Sequence, residues 1–219
     1  MINLTDRFLS PTDRQKISAC VADIEKQTSG EIVVLVTPGS GHHPLSTLFA
    51  SLLLSLPAAL LLCMIPAHYY TIHLFPGVYL FLLCEGILLA LLYRLFASGI
   101  ALPLLQFFLL PGEVEEEVEL SAQAAFFEQA LHHTTAANGV LLYISVLEQR
   151  TWILADKGFD TKVEKKEWKK IVDNLTANIR KGDNREAICK AVTQIGLLLA
   201  QHFPPNEADE NELRDLIIE

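Results

Sequence analysis

The stretch "EIVVLVTPGSGHHPLSTLFASLLLSL", residues 31–56, decides how the chain is organised. Its first part, "EIVVLVT", is a short apolar run rich in valine, which is typical of a central strand covered on both faces. A short segment containing Pro, Gly and His follows, and an uncharged run then starts that is long enough to begin a membrane span. The sequence therefore predicts a globular core that leads directly into a lipid-spanning segment.

The composition supports a division between an apolar block and charged flanks. The 219 residues are 51% hydrophobic and 20% charged, which is too apolar for an ordinary soluble domain of this size. Between His42 and Pro111 the only charged residues are Glu85 and Arg94, so the net charge of −9 lies in the flanks. Acidic flanks repel phosphate groups, which argues against a nucleic acid partner and indicates a purely hydrophobic attachment to the bilayer.

Two segments of the block are long enough to span a membrane. Residues 45–66 and 75–96 each contain about 20 residues, which at ~1.5 Å per residue cross a hydrocarbon core of ~30 Å. They predict a helical hairpin. A third apolar piece, residues 99–110, is about half that length and contains Pro103, so we expect it to lie in the membrane interface.

The flanks show alternating helices and strands. A helix with Ser10 as its cap precedes "EIVVLVT". After the block, "EVEEEVELSAQAAFFEQALHH" predicts a helix whose apolar face is formed by Leu120, Ala124, Phe127 and Leu131, with its glutamates in solvent. "NGVLLYISV" and "TWILAD" predict a β-hairpin. Two further amphipathic helices and an acidic tail complete the chain.

Neither flank alone is large enough for a layered core, so residues 1–43 and 112–219 are predicted to form one α/β domain interrupted by residues 44–111. A parallel pairing of "EIVVLVT" with "NGVLLYISV" places both flanks on one side of the bilayer, which requires an even number of spans. Basic residues flank the outer ends of the hairpin but not its turn, which predicts a cytoplasmic domain on the plasma (inner) membrane.

Several motifs in these flanks resemble the TPM domain family, in particular its membrane-embedded members. They are "TSGEIVVLV", "NGVLLYISVLEQRTWILADKGFDTKV", "HFP" and "NEL", in that order along the chain. The resemblance implies a Rossmann-like α/β/α sandwich with a small mixed sheet. It also implies that phosphatase activity or metal binding is to be considered, because some relatives are associated with those roles and others have no assigned role.

The residues themselves offer one candidate metal site. Asp156 and Asp160 in "ADKGFD" follow a strand and could present two carboxylates to one hard cation such as calcium or magnesium, or to zinc. Glu148 is the third carboxylate of a hypothetical metal-dependent phosphatase. The same Asp-x-Gly pattern is also ordinary turn chemistry, and Glu148 with Arg150 could equally be a solvated ion pair at a hairpin tip.

Glu85 is the least expected residue of the hydrophobic block, because an ionised carboxylate inside a bilayer costs at least about 2.5 kcal/mol. Self-association through Glu85 is favoured over a tolerated neutral acid and over transport, since two helices enclose no pore. The four cysteines lack C-x-x-C spacing, which argues against a zinc site or a disulfide framework. The preferred interpretation is therefore a membrane-anchored interaction or accessory module with a protein partner, and the alternative is a divalent-metal-dependent phosphatase.

Overall fold

A computed structural model describes residues 4–41, 43–69, 74–100, 102–134, 136–205 and 215–218. The chain forms two compact units, an α/β unit (residues 1–41 and 116–219) and a second unit (residues 42–115), which we name the membrane unit for its two candidate spans. The domain boundaries drawn from the sequence, at 43/44 and 111/112, stay a prediction. In chain order the elements are α1 (Leu4–Phe8), α2 (Pro11–Glu25), β1 (Ile32–Thr37), α3 (Pro44–Tyr69), α4 (Leu74–Ala97), α5 (Leu102–Leu105), α6 (Pro111–Glu128), β2 (Val140–Ser145), β3 (Arg150–Ala155), α7 (Lys157–Asp160), α8 (Lys165–Ile179), α9 (Asn184–His202) and β4 (Leu216–Ile218).

The α/β unit is built on a four-stranded mixed sheet with the order β3-β2-β1-β4. β1 pairs in parallel with β2 and with β4, whereas β2 and β3 form an antiparallel hairpin. The predicted mixed α/β fold, the central position of β1 and its parallel pairing with β2 are confirmed. β4 was not predicted, because its three residues follow an acidic tail that gives no strand signal.

Each face of this sheet has its own apolar layer. Alternate side chains of a strand point to opposite faces, and one set, represented by Val34 and Leu142, joins the buried residues of α2, α8 and α9 in one cluster. The other set includes Leu35 and Tyr143, which are also buried. The buried residues of α6 lie outside that cluster. Ser121 of α6 and Tyr143 of β2 both form hydrogen bonds with Ser40, so α6 adjoins the sheet where β1 ends.

The predicted apolar face of α6 is wrong for three of its four residues. Leu120, Ala124 and Phe127 are exposed, and the buried stripe is instead formed by Val118, Ala122, Ala125 and Phe126. Leu131, the fourth, is buried but lies in the 3₁₀ turn after the helix. Both stripes recur at helical spacing, so the pattern alone favoured the one with larger side chains.

The membrane unit contains the two long apolar helices that the sequence predicts. Residues Pro44–Met64 of α3 and Val78–Ala97 of α4 are long and apolar enough to span a bilayer. Residues 99–110 form no span: α5 and a short 3₁₀ turn, Gln106–Phe108, follow instead, and Leu105 packs with Ala50 of α3 and Phe96 of α4. This apolar piece therefore packs against the hairpin within the membrane unit.

Candidate functional site

A buried polar network lies where β1 and β2 end side by side. The Glu148 carboxylate accepts a hydrogen bond from the backbone N–H of Ser40 at 3.0 Å and another from the Ser145 hydroxyl. Tyr143 donates its hydroxyl hydrogen to Ser40 Oγ at 3.1 Å, and the Ser121 hydroxyl donates to the Ser40 carbonyl at 2.5 Å. Carboxyl ends of parallel strands are the usual site of function in α/β sheets, so this is the candidate functional site.

The hydrogen bonds of this network hold separate segments of the chain together. Glu148 is 7% exposed and Ser145 is 1% exposed, so a substrate in solvent has little access to either group. A buried carboxylate is tolerated only when donors satisfy its oxygens, and here the donors come from the turn after β1 and from the end of β2. The network therefore joins the segment that leaves the α/β unit, Ser40, to the segment that re-enters it, Ser121.

The structure does not bring the three predicted metal ligands together. Glu148 lies in the β2–β3 turn, whereas Asp156 follows β3 at its other end, where its N–H donates to the Gly139 carbonyl just before β2. Six residues of strand, at roughly 3.3 Å each, separate the two positions. Asp156 caps α7 by accepting the N–H of Lys157 at 2.6 Å, and Asp160 is exposed one turn later.

Within the described ranges, no group of three or more His, Cys, Asp or Glu side chains could hold a metal ion. What persists of the predicted site is the pair Asp156 and Asp160, and metal binding there stays a prediction. Arg150, the other residue of the predicted pair at the hairpin tip, is exposed at the start of β3, while the Glu148 carboxylate turns into the buried network.

Glu85 finds a hydrogen-bond partner inside the hairpin. The Ser55 hydroxyl on α3 donates to Glu85 Oε1 at 2.7 Å. The second oxygen, Oε2, is buried and has no hydrogen-bond partner among the described residues. The Ser55 hydroxyl thus satisfies one of the two carboxyl oxygens of Glu85. Self-association through Glu85 stays a prediction.

Comparison with known proteins identifies the domain. Residues 110–197, which run from the start of α6 into α9, match the family model of the TPM domain. This part of the chain is similar to the TPM domain. The family resemblance of the sequence motifs is therefore confirmed.

A solved structure has the same fold as this chain. The NMR structure of the BA42 protein from the psychrophilic bacterium Bizionia argentinensis superimposes with a TM-score of 0.58 over 97% of this chain and 96% of that chain, at 18% sequence identity. A likeness at this identity concerns the fold alone. No curated protein sequence matches the chain.

Near the start of the matched residues, a carboxylate that the sequence analysis missed caps α3, the first candidate span. Glu113 accepts the backbone N–H groups of Leu45 and Ser46, both at 2.8 Å, and the Ser46 hydroxyl. Partial burial would raise the pKa of Glu113, but these hydrogen bonds and the nearby His43 hold it below its ordinary value of 4.5. The acidic run "EVEEE" hid this role because all its glutamates look equally solvated in the sequence.

The remaining His and Cys residues of the chain have ordinary surroundings. The ring centroids of His132 and His133 lie 4.0 Å apart in a 3₁₀ turn, and both residues are exposed. All four cysteines are free, and burial together with the neighbouring Cys20 raises the pKa of Cys189 to about 12. His42 and the motif "NEL" lie outside the described residues.

Proposed function

We infer that this protein is a TPM domain anchored in a membrane by the α3–α4 hairpin, and that it acts there as a protein-binding accessory module. The anchoring rests on one observation. The two candidate spans bury only 28% and 6% of their apolar windows inside the structure. Leucines such as Leu61 and Leu83 are consequently exposed, and a lipid phase is the surrounding that removes this apolar surface from water.

The sheet supports a two-span topology. β1 precedes the hairpin and β2 follows it, and the two strands pair over six residues. Both flanks therefore have to be on the same side of the bilayer, which a two-helix hairpin satisfies. Arg94 at the end of α4, and the absence of Lys and Arg from the sequence "AHYYTIH" between the two spans, favour a cytoplasmic α/β unit on the inner membrane.

The binding role is supported by the way the polar groups of the α/β unit are used. The Glu148 carboxylate is already bonded to Ser40 and Ser145, and so it serves the fold at the position where α/β enzymes commonly bind substrate. Exposed apolar side chains, by contrast, lie on α6 and α9. Surfaces of this kind commonly take part in protein–protein contacts.

The anchoring is tested by extraction of membranes at alkaline pH. We expect the wild-type chain to stay with the lipid pellet, and the double variant Leu83→Arg/Leu91→Arg on α4 to move to the supernatant, because each charge at bilayer depth costs about 2.5–3.5 kcal/mol. The matched control is Leu197→Arg, an equally exposed leucine of α9, which should leave the chain in the pellet. A wild-type chain that is extracted would contradict the anchoring.

The sidedness has a separate test. All Lys and Arg residues except Arg94 lie in the flanks, so trypsin cuts the α/β unit wherever it has access. We expect protection in right-side-out membrane vesicles and cleavage in inside-out vesicles. The opposite pattern would place the unit on the outer side while leaving the anchoring intact.

A further inference from the structure

One edge of the sheet is an open strand. β3 pairs with β2 on one side, and the order β3-β2-β1-β4 leaves no strand of the described residues on its other side. Its sequence, "RTWILA", contains no Pro and no Lys, two residues that commonly protect an edge strand. The residues from Trp152 to Ala155 are half-buried. An edge of this kind is a template for pairing with a further strand.

The free edge of β3 presents the backbone groups of three residues. The N–H of Asp156 donates to the carbonyl of Gly139, just before β2, so the backbone of Asp156 faces β2. Backbone groups alternate in direction along an antiparallel strand, so those of Trp152 and Leu154 face β2 as well. The N–H and C=O groups that face the free edge therefore belong to Thr151, Ile153 and Ala155. Within the part of the chain that the structure describes, these groups form no hydrogen bond.

A second copy of β3 matches this edge in one register. Antiparallel pairing centred on Ile153 brings Ile153 opposite Ile153 of the second copy, and Thr151 opposite Ala155 of the second copy. Each opposed pair of residues then exchanges two hydrogen bonds, and every free backbone group of the edge is used. A shift by one residue would bring groups that face β2 into the contact, and a shift by two would leave groups at one end unpaired.

The same register is complementary in charge. It places Arg150 of each copy opposite Asp156 of the other copy, once at each end of the contact. Arg150 is exposed and belongs to none of the ion pairs among the described residues. Asp156 accepts the Lys157 N–H with Oδ1 only, which leaves Oδ2 for a cation. Directly opposite residues have Cβ atoms about 5 Å apart, so both ion pairs can form.

Between these ends the register brings apolar side chains together. Trp152 of each copy lies opposite Leu154 of the other copy, on the face of the sheet that contains Tyr143. Both side chains are half-buried in a single copy, so pairing removes further apolar area from water. Tryptophan is also among the residues that most often dominate the binding energy of an interface.

We propose that two copies associate through β3, antiparallel and centred on Ile153, so that two four-stranded sheets become one continuous sheet. This names a second copy as the partner for the protein-binding role given above and rests on that role. The contact uses the same surface on both copies, so association stops at a dimer. A two-fold axis along the bilayer normal keeps both hairpins in one membrane.

An exchange of charges tests this contact on the full-length chain in detergent, with molar mass measured by analytical ultracentrifugation. Arg150→Asp alone and Asp156→Arg alone each place like charges opposite each other at both ends, and each should weaken dimerisation by about thirtyfold. A mixture of the two variants restores an opposite pair at both ends and should form mixed dimers with the affinity of wild type. The control is Lys16→Asp, an exposed charge of α2, which contacts β4 at the other edge of the sheet.

A further variant leaves Asp156 and its cap on α7 in place. Leu154→Lys puts a charge on the half-buried edge and should abolish dimerisation with little change in the unfolding temperature, because a lysine side chain can reach solvent. Leu120→Lys, at an exposed leucine of α6, should dimerise like wild type.

The proposal is overturned if wild type is monomeric over the whole concentration range, if the single charge variants dimerise like wild type, or if Leu154→Lys does. It is also overturned if the mixture stays monomeric while both of its variants are folded. Alkaline extraction of the same variants reads the anchoring separately, so a chain that is monomeric but retained in the pellet would contradict the dimer and leave the anchoring intact.

Discussion

The two units of this protein place their apolar side chains in opposite ways. In the α/β unit the strands β1 and β2 are buried at every residue, and lysines and glutamates cover the helices. In the membrane unit the leucines of α3 and α4 face outward, and the buried positions of α3 are mostly small or polar, including Thr47, Ser51, Ser55 and Ala59. Each unit therefore has the surface suited to a different solvent.

With the anchoring proposed above, hydrophobic residues stabilise the two units by different means. In the α/β unit, burial removes apolar area from water, at roughly 25 cal/mol per Å². In the proposed lipid surroundings of α3 and α4 that driving force is absent, and small residues allow close packing and hydrogen bonds across a helix interface. Thr47, Ser51, Ser55 and Ala59 recur every four residues, so they lie along one side of α3 from Thr47 to Ala59.

The largest effect is expected from the same substitution made in both units. Leu141 in β2 is 0% exposed and Leu83 in α4 is 61% exposed. Leu141→Ala should lower the free energy of unfolding by about 2–5 kcal/mol, because it removes buried contacts and leaves a cavity. Leu83→Ala should change it by less than about 0.5 kcal/mol, as an exposed site does.

Denaturant unfolding of the detergent-solubilised chain, followed by the fluorescence of Trp152 and Trp168, measures both variants. These two tryptophans lie in the α/β unit, so the signal reports that unit. Equal losses in the two variants would show that Leu83 faces protein rather than lipid, and the contrast between the units would fail.

A second, somewhat smaller effect is expected when the small-residue interface of α3 is enlarged. Ala59 is fully buried, so Ala59→Leu should separate α3 from α4 at a cost of about 1–3 kcal/mol. Gly86→Leu is the matched control, since a side chain added there meets nothing within 4 Å. The helix separation is measured by spin-label distances between α3 and α4. Similar distances in both variants would contradict the packing described here.

A third effect, of about 1 kcal/mol, concerns the cap on α3. Glu113→Ala removes the acceptor of two backbone N–H groups and should destabilise the start of the helix by this amount, whereas Glu115→Ala at an exposed site should not. Because the folded pKa of Glu113 is lowered, its contribution is present above about pH 4.5 and is lost as the pH falls.

Hydrogen exchange at the first turn of α3 measures this cap. Wild type should show rising exchange, corrected for the intrinsic rate, as the pH is lowered below 4.5, and Glu113→Ala should show a flatter profile. A pH dependence that persists unchanged in Glu113→Ala would assign it to another group.

The smallest effect is expected from divalent cations. Calcium takes about six to eight oxygen ligands, and Asp156 already accepts the Lys157 N–H, so calcium, magnesium or zinc should raise the unfolding temperature only slightly. Any rise should be lost in Asp156→Asn and in Asp160→Asn and kept in Glu148→Gln, each measured against its own metal-free baseline. A rise lost only in Glu148→Gln would move the cation site to the opposite end of the sheet.

The sequence predicts the parts of this fold that depend on long apolar patterns. β1, β2, the hairpin with β3 and both membrane helices follow from runs of Val, Ile and Leu whose type and length are unambiguous. β4 does not, because three residues pair with β1 only once the sheet exists. The face of α6 was misjudged because Leu120 and Phe127 follow the same period as Val118 and Ala122.

The candidate site was less predictable for a related reason. Glu148 follows a strand in a turn, where a carboxylate is normally solvated, and its burial depends on Ser40, more than one hundred residues earlier in the chain. Asp156 follows a strand in the same way, yet its partner is the next residue, so its role as a cap agrees with the turn chemistry of the local sequence. A hydrogen-bond partner that is close in sequence can be predicted from the sequence alone. A partner from a distant segment can be identified only when the fold is known.

The position of β1 has a consequence for synthesis of the chain. β1 is made before the hairpin, but both of its neighbours in the sheet, β2 and β4, are made after it, and Val34 pairs with Leu216 only once that much later residue has been made. During that interval a valine-rich strand has two unpaired edges, which is a hazard for aggregation. Insertion of α3 and α4 into lipid would hold each nascent strand at the membrane, apart from other copies, until its own partners emerge from the ribosome.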